Sequence, residues 1–249
     1  MANAGGTAIG KVLNYGYPGQ RSRGLNDVIE NRTVQSTDMN AIPFGAPVVL
    51  NPNNTYSLFT TTSTTLSAAL ASGTVYTSLS VAALTGPVLT GDSIVIGSNG
   101  QTVTASATAA IGATTISVVS FTANAAYAIG TAVAASNTFE QFAGVAVREV
   151  KQSTVYFGGG TAQYNPGDPC DVIQVGSVIV TCQNGTPSAR SPVYIRTALN
   201  NTFPNAVIGG WEAVADGTNS VLISNAQWKT GLMDANNSAE ITLLVRNNA

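Results

Sequence analysis

Residues 171–182, DVIQVGSVIVTC, decide the fold class, because their apolar side chains fall on both faces of an extended chain. A strand has this pattern when other layers cover it on two sides, whereas a half-exposed strand alternates apolar and polar residues. The stretch is also rich in the β-branched residues Val, Ile and Thr, which favour strand over helix. We therefore expect a central strand in an all-β protein.

Four more segments read as strands, and turn sequences such as NPGDP, QNGTP, ADGTN and DANNS separate the five. In the last strand Ile241, Leu243 and Val245 share one face. A short edge strand with Pro and Gly at its ends is expected within AIPFGAPVVLNP. Residues 41–60 and 137–249 are therefore predicted to form a compact β-barrel or sandwich of six or more strands. The four segments are FAGVAVREV (142–150), SPVYIRT (191–197), SVLISNAQW (220–228) and AEITLLVRN (239–247).

Residues 61–136, here called the small-residue segment, differ in composition from the rest of the chain. Ala, Ser, Thr and Gly make up 50 of these 76 residues, and Asp92 is the only charged one. Because Gly and Pro interrupt the chain too often for long helices, we expect an inserted small β-domain. Side chains this small bury little area each, so the domain would depend on tight packing of its sheets.

The small-residue segment also contains an internal repeat. TSLSV at residues 77–81 recurs as TTISV at 114–118, and GDSIV at 91–95 is echoed by GTAVA at 130–134. Each copy is predicted to be a strand, a loop and a second strand, and the two copies are expected to pack against each other. Period-2 alternation places Val75, Thr77, Leu79 and Val81 on one face.

Residues 1–40 show no sustained period of 2 or 3.6 residues and contain Gly, Asn and Ser throughout. We expect an extended N-terminal arm that becomes ordered by lying on a partner, with a disordered tail as the alternative.

Composition and charge exclude several classes of protein. Hydrophobic residues make up 44% of the chain and charged residues 9%, and the net charge is −2, so there is no basic field to hold nucleic acid. No stretch approaches the roughly 20 apolar residues of a membrane span. The start of the chain lacks the charged-then-apolar order of a signal peptide, so we expect synthesis and assembly in the cytoplasm.

Catalytic chemistry has few candidates here. The chain contains no histidine, which removes the Ser/His/Asp and Cys/His arrangements and the usual zinc sites. Two carboxylate pairs, Asp168 with Asp171 and Glu212 with Asp216, are the remaining candidates for glycoside hydrolysis. Both pairs lie in sequences that favour turns, so we expect turn formation, no catalytic residue, no metal site and no cofactor.

The remaining distinctive side chains have two interpretations each. Trp211 and Trp228 either line a sugar-binding face or fill the core, and core filling is favoured. Cys170 and Cys182 could pair across a hairpin, but two buried thiols are expected. Arginines in or beside apolar strands are expected at subunit contacts, ahead of solvated surface; they are Arg148, Arg190, Arg196 and Arg246.

An ordered series of segments resembles the structural cement, or capsid decoration, proteins of tailed phages. Its order and spacing agree along about two thirds of the chain, and the small-residue segment stands where shorter members would have a loop. The series is GYPGQ (16–20), AIPFGAPVV (41–49), FAGVAVRE (142–149), YNPGDPCDVIQVGSVIV (164–180), SPVYIRT (191–197), ADGTNSVLISNAQWKT (215–230) and ITLLVRN (241–247).

This resemblance implies a virion protein without enzymatic activity. Members of the family are compact β modules that sit, usually as homotrimers, on the outer capsid surface and clamp neighbouring subunits of the major capsid protein. The segment around residues 16–20 is then the candidate capsid contact. Its residues are Gly16, Tyr17, Pro18, Gly19, Gln20, Arg21 and Arg23.

Three alternatives stay open at this point. The first is a virion surface adhesin, similar to head fibres, that binds a host glycan or receptor through the small-residue segment. The second is a tailspike-like glycosidase, although the long repetitive β-helix segments of tailspikes are not evident. The third is a soluble β-domain with another role.

Overall fold

The computed structural model describes residues 15–22, 26–97, 100–148 and 162–244, and these residues form an all-β structure. Two single 3₁₀ turns, Phe139–Gln141 and Gly217–Asn219, are the helical elements of the described chain. The strands are β1 Val28–Thr33, β2 Ile42–Pro43, β3 Pro47–Leu50, β4 Tyr56–Leu58, β5 Thr61–Thr65, β6 Val75–Ser80, β7 Ser93–Ile96, β8 Gln101–Thr104, β9 Thr115–Thr122, β10 Ala132–Ser136, β11 Phe142–Ala146, β12 Gln163–Tyr164, β13 Pro169–Asn184, β14 Pro192–Arg196, β15 Trp211–Glu212, β16 Ser220–Trp228 and β17 Ser238–Leu243.

The predicted central strand is β13, which extends over 16 residues. Its C-terminal half pairs with β17 and β15, and β17–β16, β16–β14 and β14–β15 pairings complete a ring. Five strands therefore close into a barrel, which removes the free edges that an open sheet would expose. The expected "barrel or sandwich" is thus a barrel, extended by an open sheet.

The open sheet is built on the N-terminal half of β13. That half lies between β1 on one side and β11 on the other, and β3 and β4 continue the sheet beyond β11. A single long strand thus belongs to both structures. The apolar residues on both of its faces are explained, since its buried positions contribute to two cores, one around Val178 and Val180 and one around Cys170 and Val172.

The expected N-terminal arm contains a strand that the sequence pattern did not predict. β1 pairs with the whole first part of β13, from Val28 opposite Val175 to Thr33 opposite Pro169. Every residue of β1 is exposed or half-buried. With no face fully covered, no period-2 pattern marks the strand in the sequence.

The small-residue segment has a core of its own. The cluster contains branched side chains such as Leu79, Ile94, Ile116 and Val133, and its buried residues run from Leu66 to Ala135. Strands β5, β10, β7 and β8 form one sheet in that order, and β6 and β9 form another. This core consists of twelve Leu, Ile and Val side chains and four Ala, so most of the small side chains that dominate the composition lie outside it.

The two copies of the repeat pair with each other, as predicted. Leu79 of β6 lies opposite Ile116 of β9, and β7 pairs with β10. The sheet order β5-β10-β7-β8 reads the same when the copies are exchanged, so an internal two-fold relates them. Each copy has three strands in the structure, β5 to β7 and β8 to β10, one more than predicted. The first strand of each copy, β5 or β8, pairs with the last strand of the other, β10 or β7, and neither copy could bury its apolar face alone.

One prediction for this segment is wrong. Val75 and Thr77 are exposed, although Leu79 and Val81 are buried as expected. A register shift between Tyr76 and Ser78 changes which face the later residues use, as a β-bulge does. Tyr76 packs partly against the core in place of its neighbours.

A buried carboxylate, that of Asp92, lies at the junction between the small-residue segment and the barrel. Asp92 is 1% exposed, and its Oδ1 accepts hydrogen bonds from Asn137 Nδ2 at 2.9 Å and Gln141 Nε2 at 2.7 Å. Its Oδ2 accepts a bond from the Leu89 amide at 2.7 Å. Burial raises the pKa of Asp92, and these three hydrogen bonds oppose the rise.

Candidate capsid-binding surface

The candidate contact segment lies on β13 within the same chain. The amide of Gly19 donates to Ile179 O at 2.8 Å, the Ile179 amide donates to Gln20 O at 2.9 Å, and the Ser22 amide donates to Ser177 O at 3.0 Å. Through these bonds residues 19–22 pair with residues 177–179 of β13, and β1 follows later in the chain. The segment is therefore held against β13 in a strand-like conformation.

Two glycine turns bring the first two sequence motifs together. Gly19 and Gly45 both have positive φ angles, 81° and 80°. A Cβ on Gly19 would lie 2.8 Å from Phe44 Cβ, and one on Gly45 would lie 2.8 Å from Pro18 Cβ. Both turns need glycine for their backbone conformation and for this close approach.

The third motif and Trp211 meet the first two motifs at the same place. The Gly45 amide donates to Ala146 O at 2.8 Å, and the Arg148 amide donates to Gly19 O at 2.8 Å. Trp211, which the sequence analysis assigned to the core, is 2% exposed and donates its indole N–H to Gly45 O at 2.7 Å. Residues separated by more than 150 positions in sequence thus build one rigid support.

Three exposed side chains lie on this rigid backbone, two of them neutral and one positively charged. Tyr17 is 72% exposed, and Gln20 and Arg21 are exposed beside it. Gln20 Oε1 accepts a bond from the Tyr17 amide at 3.3 Å, and Arg21 lies 3.9 Å from the carboxylate of Asp27.

The other candidates of this segment have different positions. Gly19 is buried, and Gly16 and Pro18 are half-buried, so Tyr17, Gln20 and Arg21 are the side chains open to a partner. Arg23 lies outside the described residues. Because Gly19 makes only backbone contacts with its own chain, its place in the motif is explained by folding.

Arg196 corrects the expectation of subunit contacts. Its side chain is fully buried, forms an ion pair with Glu212, and donates Nη1–H to Asp216 Oδ2 at 2.9 Å. A second Nη1 bond goes to Ala198 O at 3.1 Å. The arginine therefore neutralises carboxylates of its own chain, on the face of β14 opposite Ile195 and the barrel core.

The same contacts decide the interpretation of the Glu212 and Asp216 pair. Glu212 lies in β15 and is fully buried, so the expected turn is wrong for this residue. Burial raises the pKa of Glu212, and the positive charge of Arg196 opposes the rise. A hydrogen bond from Asn200, together with Arg196, lowers the pKa of Asp216.

Asp168 and the cysteines behave as expected, but Asp171 lies in β13, so the expected turn is wrong for that residue. Asp168 Oδ2 accepts the Asn165 amide at 2.8 Å in a turn. Cys170 and Cys182 are buried and unbonded, and lie in the same strand about 40 Å apart along the chain at about 3.3 Å per residue. Burial raises the pKa of both thiols, that of Cys182 to about 11. Trp228, like Trp211, fills the core.

The described residues show neither a metal-binding group nor a membrane-spanning helix. They contain no group of three or more His, Cys, Asp or Glu side chains arranged to hold a metal ion. None of their helices is long and apolar enough to cross a membrane.

Comparison with known proteins identifies the family. A solved structure, described as "The capsid of Myoviridae Phage XM1", matches 97% of this chain and 98% of its own at 12% identity, with a TM-score of 0.46. No curated protein matches the sequence. The family described as structural cement protein (E217 gp24/Pam3 gp6) matches residues 68–244, from within the small-residue segment to the end of the barrel. The motifs at 16–20 and 41–49 precede this range. Because the family matches most of the length of this chain, the chain belongs to the phage structural cement protein family.

Proposed function

We propose that this protein is a capsid cement protein: it binds the outer surface of a phage head as a homotrimer and clamps neighbouring subunits of the major capsid protein. The family match over residues 68–244 carries this proposal. The role is structural and needs no catalytic group. Localisation to the outer surface of the virion, after assembly in the host cytoplasm, is part of the same proposal.

The proposed contact is the exposed part of residues 16–23. Tyr17, Gln20 and Arg21 are exposed on backbone that is fixed to β13 and to the Gly45 turn. A contact group on a rigid support loses little conformational entropy when it binds. Tyrosine suits such a contact, because it offers a large apolar ring with only two side-chain torsions.

Trimeric binding would supply affinity through linked contacts. Once one subunit of a trimer is bound, the second and third bind at a high effective concentration, so individually weak contacts give a stable complex. With 9% charged residues, the protein has few ion pairs to contribute. We therefore propose a contact that is largely uncharged and changes little with salt concentration.

The domain organisation is proposed to follow the cores. Residues 41–60 and 137–249 would be the capsid-binding domain, residues 61–136 an inserted domain, and residues 1–40 an arm that lies partly on β13. The separate core of residues 66–135 supports the division.

Co-sedimentation with expanded and unexpanded shells of the parent phage tests the proposal, with bound copies located by cryo-electron microscopy. We expect trimers on the outside of the expanded shell and none on the unexpanded shell. Binding to neither shell, or a monomer bound inside, would contradict it.

A matched pair of variants tests the contact surface. Tyr17→Ala removes a side chain that is 72% exposed, and Leu199→Ala removes one that is 70% exposed in a different loop. Only Tyr17→Ala is expected to reduce the bound fraction. Equal effects of the two variants would place the contact elsewhere.

A further inference from the structure

The internal two-fold of the small-residue segment produces two equivalent turns, residues 87–92 and residues 126–131. Gly91 and Gly130 occupy the same place in them, with φ angles of 92° and 86°. Their amides also make equivalent bonds, from Gly91 to Ala105 O at 2.9 Å and from Gly130 to Leu66 O at 2.8 Å. The two turns are therefore built alike, and what one binds indicates what the other can bind.

The first turn is docked on the barrel. Gln141 Nε2, from outside the segment, donates to Thr90 O at 3.0 Å, and Thr62 Oγ1, from β5 of the same segment, donates to Pro87 O at 2.8 Å. Leu89 packs into the barrel core and is 5% exposed. The carbonyl oxygens of this turn thus accept hydrogen bonds from an uncharged hydroxyl and an uncharged amide.

The second turn is open. Ala126 and Ile129 stand where Pro87 and Thr90 stand in the first turn, and both are exposed, Ile129 at 68%. Within the described part of the chain, their carbonyl oxygens accept no hydrogen bond. The acceptors that Thr62 and Gln141 satisfy in the first turn are therefore available to a ligand in the second.

A recess of about 630 Å³ adjoins the open turn, and the side chains that line it include Asn124, Tyr127 and Thr131. Gly97 forms part of the wall, where a Cβ would lie 3.4 Å from both the Tyr127 ring and the Thr131 methyl group. The absence of a side chain at Gly97 keeps space open beside the aromatic ring.

Hydrogen bonds hold the polar lining in position. The Tyr127 hydroxyl donates to Asn124 Oδ1 at 2.6 Å, and the Asn124 amide donates to Gln101 Oε1 at 3.0 Å. Gln101 Nε2 in turn donates to Thr122 O at 2.7 Å. The lining is therefore arranged before any ligand arrives, and preorganisation reduces the entropic cost of binding.

The chemistry of the recess selects a neutral ligand rich in hydroxyl groups. The only charge in residues 61–136 is Asp92, which is buried at the barrel junction and belongs to the docked side. An aromatic ring, an amide and free carbonyl oxygens together suit the apolar C–H face and the O–H donors of a sugar. We propose that the recess formed by Gly97, Asn124, Ala126, Tyr127 and Thr131 is a binding site for a neutral saccharide, a function beyond capsid cementing.

Binding of the full-length protein to an array of uncharged oligosaccharides, followed by titration of the strongest binders, tests this proposal. Ala126→Glu places a charge in the recess at an exposed position, so the fold should be unaffected. Tyr127→Phe keeps the ring but removes the hydroxyl bond to Asn124. The matched control is Ser106→Ala, an exposed position next to Ala105, whose carbonyl accepts a bond from Gly91 of the docked turn.

We expect a neutral saccharide to bind, Ala126→Glu to weaken it about tenfold or more, Tyr127→Phe to weaken it less, and Ser106→Ala to leave it unchanged. No binding at about millimolar saccharide, or equal binding by Ala126→Glu, would overturn the proposal. Co-sedimentation of Ala126→Glu with expanded shells is measured in parallel. Loss of shell binding without any saccharide binding would show that the recess contacts protein, which also overturns it.

Discussion

The barrel and the small-residue segment achieve burial in different ways. The barrel core contains Trp211, Trp228 and Phe142, and the Arg196 and Glu212 ion pair is buried on the other face of its strands. The fully buried side chains of the small-residue segment are aliphatic, and its one charge lies at its boundary with the barrel. Large aromatic residues fill a closed barrel, whereas two thin, interleaved sheets are filled by Leu, Ile and Val. The comparison teaches that a composition rich in Ala, Ser and Thr describes a surface and leaves the core ordinary.

The largest expected effect concerns the buried ion pair of the barrel. Arg196→Ala should lower the free energy of unfolding by about 3–5 kcal/mol, because Glu212 would stay buried without its counter-charge. The double variant Arg196→Met with Glu212→Leu removes both charges and should recover most of that loss. Urea unfolding followed by tryptophan fluorescence measures both. A double variant as unstable as Arg196→Ala would show that packing, and not the unpaired charge, causes the loss.

Truncation of a buried side chain in the aliphatic core of the small-residue segment should lower the free energy of unfolding. Leu79→Ala is expected to cost about 2–4 kcal/mol, since a fully buried leucine leaves a cavity. Hydrogen exchange measured by mass spectrometry should show the loss of protection concentrated in residues 61–136.

Val75→Ala is the control for this prediction, because Val75 lies in the same strand and is 61% exposed. It should change stability by less than about 0.5 kcal/mol. Equal losses of protection in the barrel and the small-residue segment after Leu79→Ala would mean that the two unfold as one unit.

The junction carboxylate should have an intermediate effect. Asp92→Asn places an N–H₂ group where the carboxylate now accepts from both the Leu89 amide and the side-chain amides of Asn137 and Gln141. One donor would then face another, at an expected cost of about 1–3 kcal/mol. Calorimetry of the wild type and the variant measures this difference.

The pH dependence of that difference has a defined sign. Because burial raises the pKa of Asp92 above 3.8, the folded chain binds this proton more tightly than the unfolded chain. Its contribution to stability is therefore full below pH 3.8 and declines as the pH rises through the folded-state pKa. The stability of the wild type minus that of Asp92→Asn should fall over this range. A rise would show that the three hydrogen bonds outweigh burial.

The smallest expected effect concerns the exposed charges of the contact segment. Arg21→Glu combined with Arg23→Glu should weaken shell binding by about two- to tenfold, since exposed charge pairs contribute about 0.2–1 kcal/mol each. Stability should be unchanged. Co-sedimentation at low and high salt measures the effect. Unchanged binding at low salt would show that these two charges do not contribute to the contact.

The strands of the barrel could be predicted because their buried faces require apolar residues at regular positions in the sequence. The two-faced apolar pattern of β13 and the alternation of Ile241 and Leu243 reflect packing that the structure confirms. The repeat in residues 61–136 was equally visible, and its copies pair as expected. β1 was missed because an edge strand with no fully buried face has no such pattern.

The candidate contact segment was predicted only in part. The GYPGQ motif drew attention to residues 16–20, but nothing local showed that Gly19 would be buried against the Gly45 turn. The role of Arg196 was also missed, because its partner Glu212 is 16 residues away and is brought to it by the pairing of β14 with β15. Contacts of this kind depend on strand order, which local sequence does not encode.

The sequence by itself determined the all-β class, the change in composition at residue 61, the internal repeat and the absence of histidine chemistry, since these follow from side-chain type and short-range periodicity. Tertiary structure alone decided that β13 closes a barrel and carries an open sheet, that three motifs and Trp211 meet around Gly45, and that one of two equivalent turns is docked while the other is open. The physical reason is that these features arise from pairing between distant segments, where the free energy of burial depends on which surfaces meet.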